Sequence, residues 1–373
     1  MTANKTKWVR LGDYIEEVDE RNKEGVGYPF CGINKDKTFM PTMADTNNLD
    51  NTKYKLVTQG TFVFSGMQTG RDICIRIAFQ SEDKAVLISP AYTTFRVNRI
   101  HELTPPYLFM QFIRFEMDRY GWFLSDCSIR SNLDWGRFCD IRIPLPSMEV
   151  QRELVATYEG LKRLAEDNEA LIAPLTEACQ AFIVECKRQY PSVPLGDYIE
   201  EVDERNIRGK DYPFCGVNRD KCFMPTVADT NHLSNKKYKL VKHGMFVFSG
   251  MQTGRDACVR IAYQNECQVL LVSPAYTTYK VKNASELLPQ FLYLQFARQE
   301  MDRMGWFLSD GSIRSNLDWD RFCAIQIPLP PPEVQQSIVN LYRCIEEAKG
   351  IAQKAREMLT TLCPALVRYA IDA

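Results

Sequence analysis

The chain has 373 residues, 45% of them hydrophobic and 25% charged, and a formal net charge of −1. This is enough chain for two domains with cores of their own, in an ordinary globular composition. The near-zero balance excludes nucleic-acid binding driven by bulk positive charge, although it leaves room for a local basic groove. No apolar run approaches the roughly 18 residues of a membrane span, and Met1–Arg10 has no apolar stretch of secretion-signal type. A cytoplasmic protein without membrane attachment is expected.

In chain order, the acidic set Glu16, Glu17, Asp19 and Glu20 reads as a solvated face. Residues 28–100 are rich in β-branched and aromatic runs broken by Gly, Pro and Asn. Phe62–Ser65, Ile73–Phe79 and Ala85–Ser89 are expected strands of a compact α+β module. Pro106–Tyr120 is an expected helix, with proline near its start and Gly121 as its stop. Phe62, Phe64, Phe109, Phe112 and Phe115 read as core rather than as a platform for stacked bases. Ile141–Pro146 is held extended by its prolines. Ser147 has the character of an N-cap. Beyond it, Val150, Leu154, Tyr158, Leu161, Leu164/Ala165, Asn168, Leu171, Leu175, Ala178 and Phe182 recur at steps of three and four. They predict a long amphipathic helix of coiled-coil type to about Lys187, with Pro174 as a kink point.

The text then starts again. Leu11–Asn22 returns unchanged as Leu195–Asn206, an offset of 184 that holds without a gap. Phe62–Asp72 matches Phe246–Asp256, Gly121–Asp126 matches Gly305–Asp310, and Ser128–Trp135 matches Ser312–Trp319. About two positions in three are identical between 11–150 and 195–334. A period this long is a domain, not a solenoid repeat of roughly 20–50 residues. A second striped helix follows, through Val334, Ile338, Leu341, Ile345, Ala348, Ala352, Ala355, Leu359, Leu362 and Leu366, with Pro364 near its end. The expected fold is α+β: two near-identical globular domains, each followed by a long α-helix. The two helices are expected to bury their stripes against each other as an antiparallel coiled coil, with pseudo-two-fold symmetry. The expected boundaries are 1–146, 147–190, 191–330 and 331–373. Two like surfaces so related suit a symmetric double-stranded target.

Chemistry-bearing motifs are missing. No CxxC pair occurs among the 13 cysteines, and His101, His232 and His243 offer no zinc spacing. Cys31, Cys74, Cys139 and Cys179 recur as Cys215, Cys258, Cys323 and Cys363, which read as small buried residues with free thiols. There is no Gly-rich cofactor loop after a strand, no Asn-Pro-Pro-Tyr-like tetrapeptide and no Ser–His or Cys–His pattern. No catalytic residue, metal or cofactor is therefore expected.

Base edges are read by side chains such as Arg, Lys, Asn and Gln, whereas phosphate contacts fix register. Gly66–Arg71 offers Gln68, Thr69 and Arg71 between two glycines, repeated as Gln252, Thr253 and Arg255. It lacks the lysine–hydroxyl pair of a Walker loop, and is either a DNA-contacting loop or a turn kept for backbone reasons. Ser128–Asn132 offers Arg130 and Asn132, repeated as Arg314 and Asn316. These either read bases or cap the segment that follows. Lys37 and Lys221 lead a third set, with Asn34, Lys35, Lys53 and Lys55 around the first; they are either phosphate contacts or solvated lysines.

Two junctions carry a resemblance. Ile141-Arg-Ile-Pro-Leu-Pro-Ser-Met-Glu-Val-Gln151 and Ile325-Gln-Ile-Pro-Leu-Pro-Pro-Pro-Glu-Val-Gln335 resemble the strand-to-helix signature of the specificity (S) subunits of type I restriction–modification systems. The opening Leu-Gly-Asp-Tyr, the Phe62-Val-Phe-Ser segment and the Ser-Pro-Ala-Tyr stretch are similar to that family's target-recognition domains, and the likeness covers nearly the whole chain. It implies a non-catalytic subunit that reads a split site in double-stranded DNA, one half per domain. The helices would act as a ruler and a dock for two methyltransferase (M) subunits, and ATP-dependent restriction/translocase (R) subunits would join for restriction. Where such families pair unlike domains, these two nearly match, so an interrupted palindrome is expected. A recognition subunit of a related type II system, or an interaction scaffold that binds no DNA, remain the alternatives.

Overall fold

A computed structural model describes residues 6–372 apart from 44, 47, 48, 127 and 227–233, with side chains to position 361. His232 and the side chains of Leu362, Cys363, Pro364 and Leu366 lie outside the described residues. The chain divides into two compact units, 1–167 with 351–373, and 168–350. The division cuts through both long helices, so each unit owns one globular domain and one half of each helix.

In the first unit the strands are β1 (Lys7–Arg10), β2 (Ile15–Glu17), β3 (Phe30–Ile33), β4 (Phe39–Pro41), β5 (Lys55–Val57), β6 (Phe62–Ser65), β7 (Arg76–Phe79), β8 (Val86–Ile88), β9 (Thr93–Val97) and β10 (Arg142–Leu145). One antiparallel sheet has the order β2-β9-β6-β7, and a second has the order β4-β3-β8-β5 with β3 and β8 parallel. β1 pairs antiparallel with β10, Lys7 opposite Leu145, so the two ends of the domain close on each other. The period of two along β6 explains its unbroken apolar text. Phe62 and Phe64 point into one core with the helices, whereas Val63 points into the other with Ile33, Val57 and Ile88. Phe62 stacks on Phe95 at 4.9 Å and Phe64 on Phe138 at 4.1 Å. Burial of each such ring contributes about 2 kcal/mol.

The helices are α1 (Thr69–Asp72), α2 (Pro105–Ile113), α3 (Phe115–Leu124), α4 (Trp135–Cys139) and α5 (Met148–Gln189). α2, α3 and the strand β7 depart from the sequence reading. The expected single helix over 106–120 is broken at Arg114, whose backbone is extended (φ −74, ψ 134). Gly121 does not stop it but lies buried inside α3, where an added Cβ would stand 2.4 Å from Ile75 Cγ1. The glycine serves close packing on Ile75, the residue just before β7. Phe115, expected in the core, is exposed because the break at Arg114 turns it outward, while Phe112 is fully buried. The expected strand Ile73–Phe79 shortens to β7, because Ile73 sits in the left-handed region (φ 48) at the end of α1.

Ser147 caps α5 through its hydroxyl, which accepts the Val150 N–H at 3.4 Å. The Gln of the junction signature has a defined task. Gln151 is fully buried; its Oε1 accepts the Thr104 N–H at 2.9 Å and its Nε2 donates to the carbonyls of Glu102 and Pro146. Gln335 repeats these bonds with Leu288, Glu286 and Pro330. The signature therefore fixes each long helix to its own domain.

The second unit repeats the domain from Ser192–Pro194 to Gln326–Pro328, with the same sheet orders. Within it, Cys179, Ile183 and Cys186 of α5 share a core with Ile338, Val339 and Ile345 of the second long helix, Pro332–Asp372. The late part of one helix thus meets the early part of the other, which makes the pairing antiparallel in this unit. The stripe on α5 shifts by one residue in this half: Ile172, Cys179 and Ile183 face inward, and the expected Leu171 and Phe182 are exposed. The text there has adjacent apolar residues, and packing chooses between them. Ala348, Ala352 and Ala355 are buried as expected.

Candidate nucleic-acid interface

Two loops are pinned into one surface in each domain. The first follows β6 and the second follows α3. Leu133 N–H donates to the Gly66 carbonyl at 2.8 Å, Gly70 N–H to the Ser131 carbonyl at 2.9 Å, and Gln68 N–H to Asn132 Oδ1 at 2.9 Å. The glycines are there for closeness: a Cβ on Gly66 would stand 1.7 Å from the Leu133 carbonyl oxygen, and one on Gly70 2.4 Å from Ser131 Cβ. Gln68 (φ 60) and Ser131 (φ 49) hold left-handed backbones, each at a cost of roughly 1 kcal/mol. The second domain repeats the clasp through Leu317 to Gly250, Gly254 to Ser315, and Gln252 to Asn316.

The expected contacts distribute unevenly over this clasp. Arg71 is exposed, with a guanidinium N–H donating to Gln68 Oε1 at 2.8 Å, and Arg255 and Gln252 do the same at 2.7 Å. Arg130 and Arg314 are exposed and make no hydrogen bond or ion pair among the described residues. Asn132 and Asn316 use their carbonyl oxygens to hold the clasp. They do not cap the next segment, which is capped by Asp134 accepting the Arg137 N–H at 2.9 Å. Trp135 anchors that segment against Phe95 and Phe138.

Thr69 and Thr253 are buried, and each donates its hydroxyl to the Gly66 or Gly250 carbonyl at 3.1 Å. Lys37 is likewise interior: its ammonium donates to Asp118 at 2.7 Å and to the Ile75 carbonyl at 2.9 Å. Lys221 repeats this with Asp302 at 2.6 Å and Val259 at 3.1 Å. A buried cation needs a partner more than a phosphate needs a lysine, so these four side chains brace the surface from beneath instead of facing outward. Lys55 is also buried, 3.5 Å from Asp19, while Lys35 is exposed, 3.5 Å from Asp72.

The nearby carboxylates are consumed locally. Asp126 accepts from the Ser128 hydroxyl and from the Ser128 and Asn132 amides, which hold its carboxyl below the ordinary value. Partial burial opposes ionisation of Asp72, but Arg76, Arg71 and Lys35 outweigh it and hold that carboxyl low. The surface left facing out is cationic, through Arg71, Arg130 and Arg119. Sequence reading passed over Arg119 and the exposed apolar Met67, Trp122, Phe123 and Ile129. Their signal was present in the unchanged return of 121–126 and 128–135, which was read for its polar residues alone.

Among the described residues every cysteine is free, and no group of His, Cys, Asp and Glu could hold a metal ion. Burial pushes the Cys74 and Cys258 thiols up. Among the described residues no helix is long and apolar enough to cross a membrane.

No protein-family model matches the chain. A curated protein of Methanocaldococcus jannaschii, named as a type I restriction enzyme MjaX specificity subunit, is 19% identical over 371 residues, covering 91% of this chain and 85% of that protein. The crystal structure of a type I restriction–modification S subunit from M. genitalium aligns at a TM-score of 0.59 and 14% identity, over 99% of this chain and 97% of that one. The HsdS subunit from Thermoanaerobacter tengcongensis aligns at 0.46 and 17% identity over 99% and 97%, and the fold likeness rests on the former. The chain is thus similar over most of its length to a protein named as a type I restriction enzyme specificity subunit, and it shares the fold of a solved type I restriction–modification S subunit.

Proposed function

We propose that the chain reads a bipartite DNA site, one half per domain, and performs no chemistry itself. The observation that carries this is the clasp: a rigid, cationic, two-loop surface with Gln68, Arg71 and Arg130, built again without change around Gln252, Arg255 and Arg314. Phe62–Asp72 returns with no substitution. Between Glu116 and Trp135 only Tyr120 and Cys127 differ from their counterparts Met304 and Gly311. Two identical reading surfaces support two like half-sites, hence an interrupted palindrome.

The long helices would space the half-sites and dock two methyltransferase subunits, with ATP-dependent restriction subunits joining for cleavage. Leu171 and Phe182, exposed on α5, support a protein partner along that helix. Methyl transfer and any base flipping would belong to the methyltransferase. Co-expression with a type I methyltransferase subunit, followed by sequencing of methylated bases in host DNA, tests the reading. A split motif with inverted matching halves is the expected result; no methylation from an active methyltransferase would refute it.

A further inference from the structure

Each clasp carries an apolar knob that the hydrogen-bonding account above leaves unused. Phe123 is 80% exposed at the end of α3, Trp122 beside it is 51% exposed, and Ile129 stands fully exposed on the turn closed by Asp126 and Asn132. Trp122 packs over the clasp, since a Cβ on Gly70 would come within 2.9 Å of its Cδ1. Large exposed apolar side chains held on a braced surface mark a contact site more than scattered ones do.

The duplication acts as an internal control. Exposed Ile73, Ile100 and Phe115 of the first domain are Ala257, Ala284 and Gln299 in the second, so apolar character at the surface drifts where nothing holds it. Met67, Trp122, Phe123 and Ile129 return as Met251, Trp306, Phe307 and Ile313, all exposed again. Exposed Met40 also returns, as Met224, but the set kept as a cluster of four is the one that carries the free guanidiniums. Arg119 lies one turn before Phe123 on the same helix face, and Arg130 follows Ile129 directly. Neither arginine has a hydrogen bond or ion pair among the described residues, and neither do Arg303 and Arg314. The neighbouring carboxylates Asp72 and Asp126 are occupied within the clasp. An apolar knob set among unpaired cations fits a polyanion that presents a small apolar group.

We infer that the knobs of Phe123 and Ile129, and of Phe307 and Ile313, pack against thymine 5-methyl groups in the major groove of duplex DNA. The thymine methyl is the apolar feature that a base-pair edge offers there, and it lies beside the acceptors and donors that arginine and glutamine address. The inference rests on the DNA-reading role proposed above. It adds that each half-site contains at least one A·T pair read by apolar contact.

The test selects duplexes from a random pool with the full chain bound to its methyltransferase. Affinity is then compared for the selected duplex with thymine and with deoxyuridine, which lacks only the methyl. Uracil at a contacted position is expected to weaken wild-type binding about fourfold. The paired variants Phe123→Ser with Phe307→Ser, and Ile129→Thr with Ile313→Thr, are expected to bind both duplexes alike, with an unchanged salt dependence because no phosphate contact is removed. Half-sites without an A·T pair, wild-type indifference to uracil, or variants that still discriminate would overturn the inference alone. Variants that keep discrimination and lose the methyltransferase would overturn it by assigning the knob to that protein. If wild type enriches no duplex, the functional reading itself fails and takes this inference with it.

Discussion

Asn132 Oδ1 accepts the backbone N–H of Gln68 at 2.9 Å, which ties the tip of one loop to the base of the other. Gln68 holds a left-handed backbone, so its amide has no regular secondary-structure partner. Asn132→Ala is expected to destabilise the first domain by about 1 kcal/mol and to weaken DNA binding several-fold. Asn132→Asp keeps the acceptor and is expected to restore stability. Chemical denaturation, read beside binding, separates the two effects.

Lys37 and Asp118 form a buried pair at 2.7 Å, and Arg130 stands free on the surface. Their removal should therefore differ in kind. Asp118→Ala leaves an ammonium buried without its carboxylate and is expected to cost about 3–5 kcal/mol of stability. Lys37→Met is expected to leave the salt dependence of DNA binding unchanged. If Arg130 meets a phosphate, Arg130→Ala lowers the slope of log affinity against log salt by about one unit. Binding isotherms at several salt concentrations decide this.

The hydroxyl of Tyr279 is fully buried and finds no hydrogen-bond partner among the described residues, whereas the same position in the first domain is Phe95. The ring packing is the same, with Phe246–Tyr279 at 5.0 Å and Phe62–Phe95 at 4.9 Å. Tyr279→Phe is expected to stabilise the second domain by about 1 kcal/mol, and Phe95→Tyr to destabilise the first by a similar amount. Urea unfolding midpoints check both signs.

Gly66 and Gly121 fill places where a methyl group has no room. Gly66→Ala would set its Cβ 1.7 Å from the Leu133 carbonyl oxygen, so the clasp must open; loss of sequence-specific binding in that half-site is the expected result. Gly121→Ala meets side chains and no backbone, chiefly Ile75 at 2.4 Å, and is expected to cost about 1–3 kcal/mol. Thermal unfolding and half-site methylation separate a binding defect from a folding defect.

The sequence by itself determined the duplication, the α+β character, the order of domain and helix, and the buried strand Phe62–Ser65. These follow from identity at a fixed offset and from periods of two and of three to four, which are local properties of the text. It also brought forward both loops of the clasp, because they return unchanged. Tertiary structure decided which of their side chains face outward. Thr69 and Lys37 look like donors in the text, but the glycine-tight approach of the two loops and the carboxylate of Asp118 draw them inside. Phe115 looks like core, but the break at Arg114 leaves it in water, and Phe123, on which the text gives no reading, is exposed at the end of α3. Along α5, Leu171 and Ile172 are equally apolar, and only the partner helix selects Ile172. Burial is a property of what packs on a residue from far away in sequence, and side-chain type alone does not contain it.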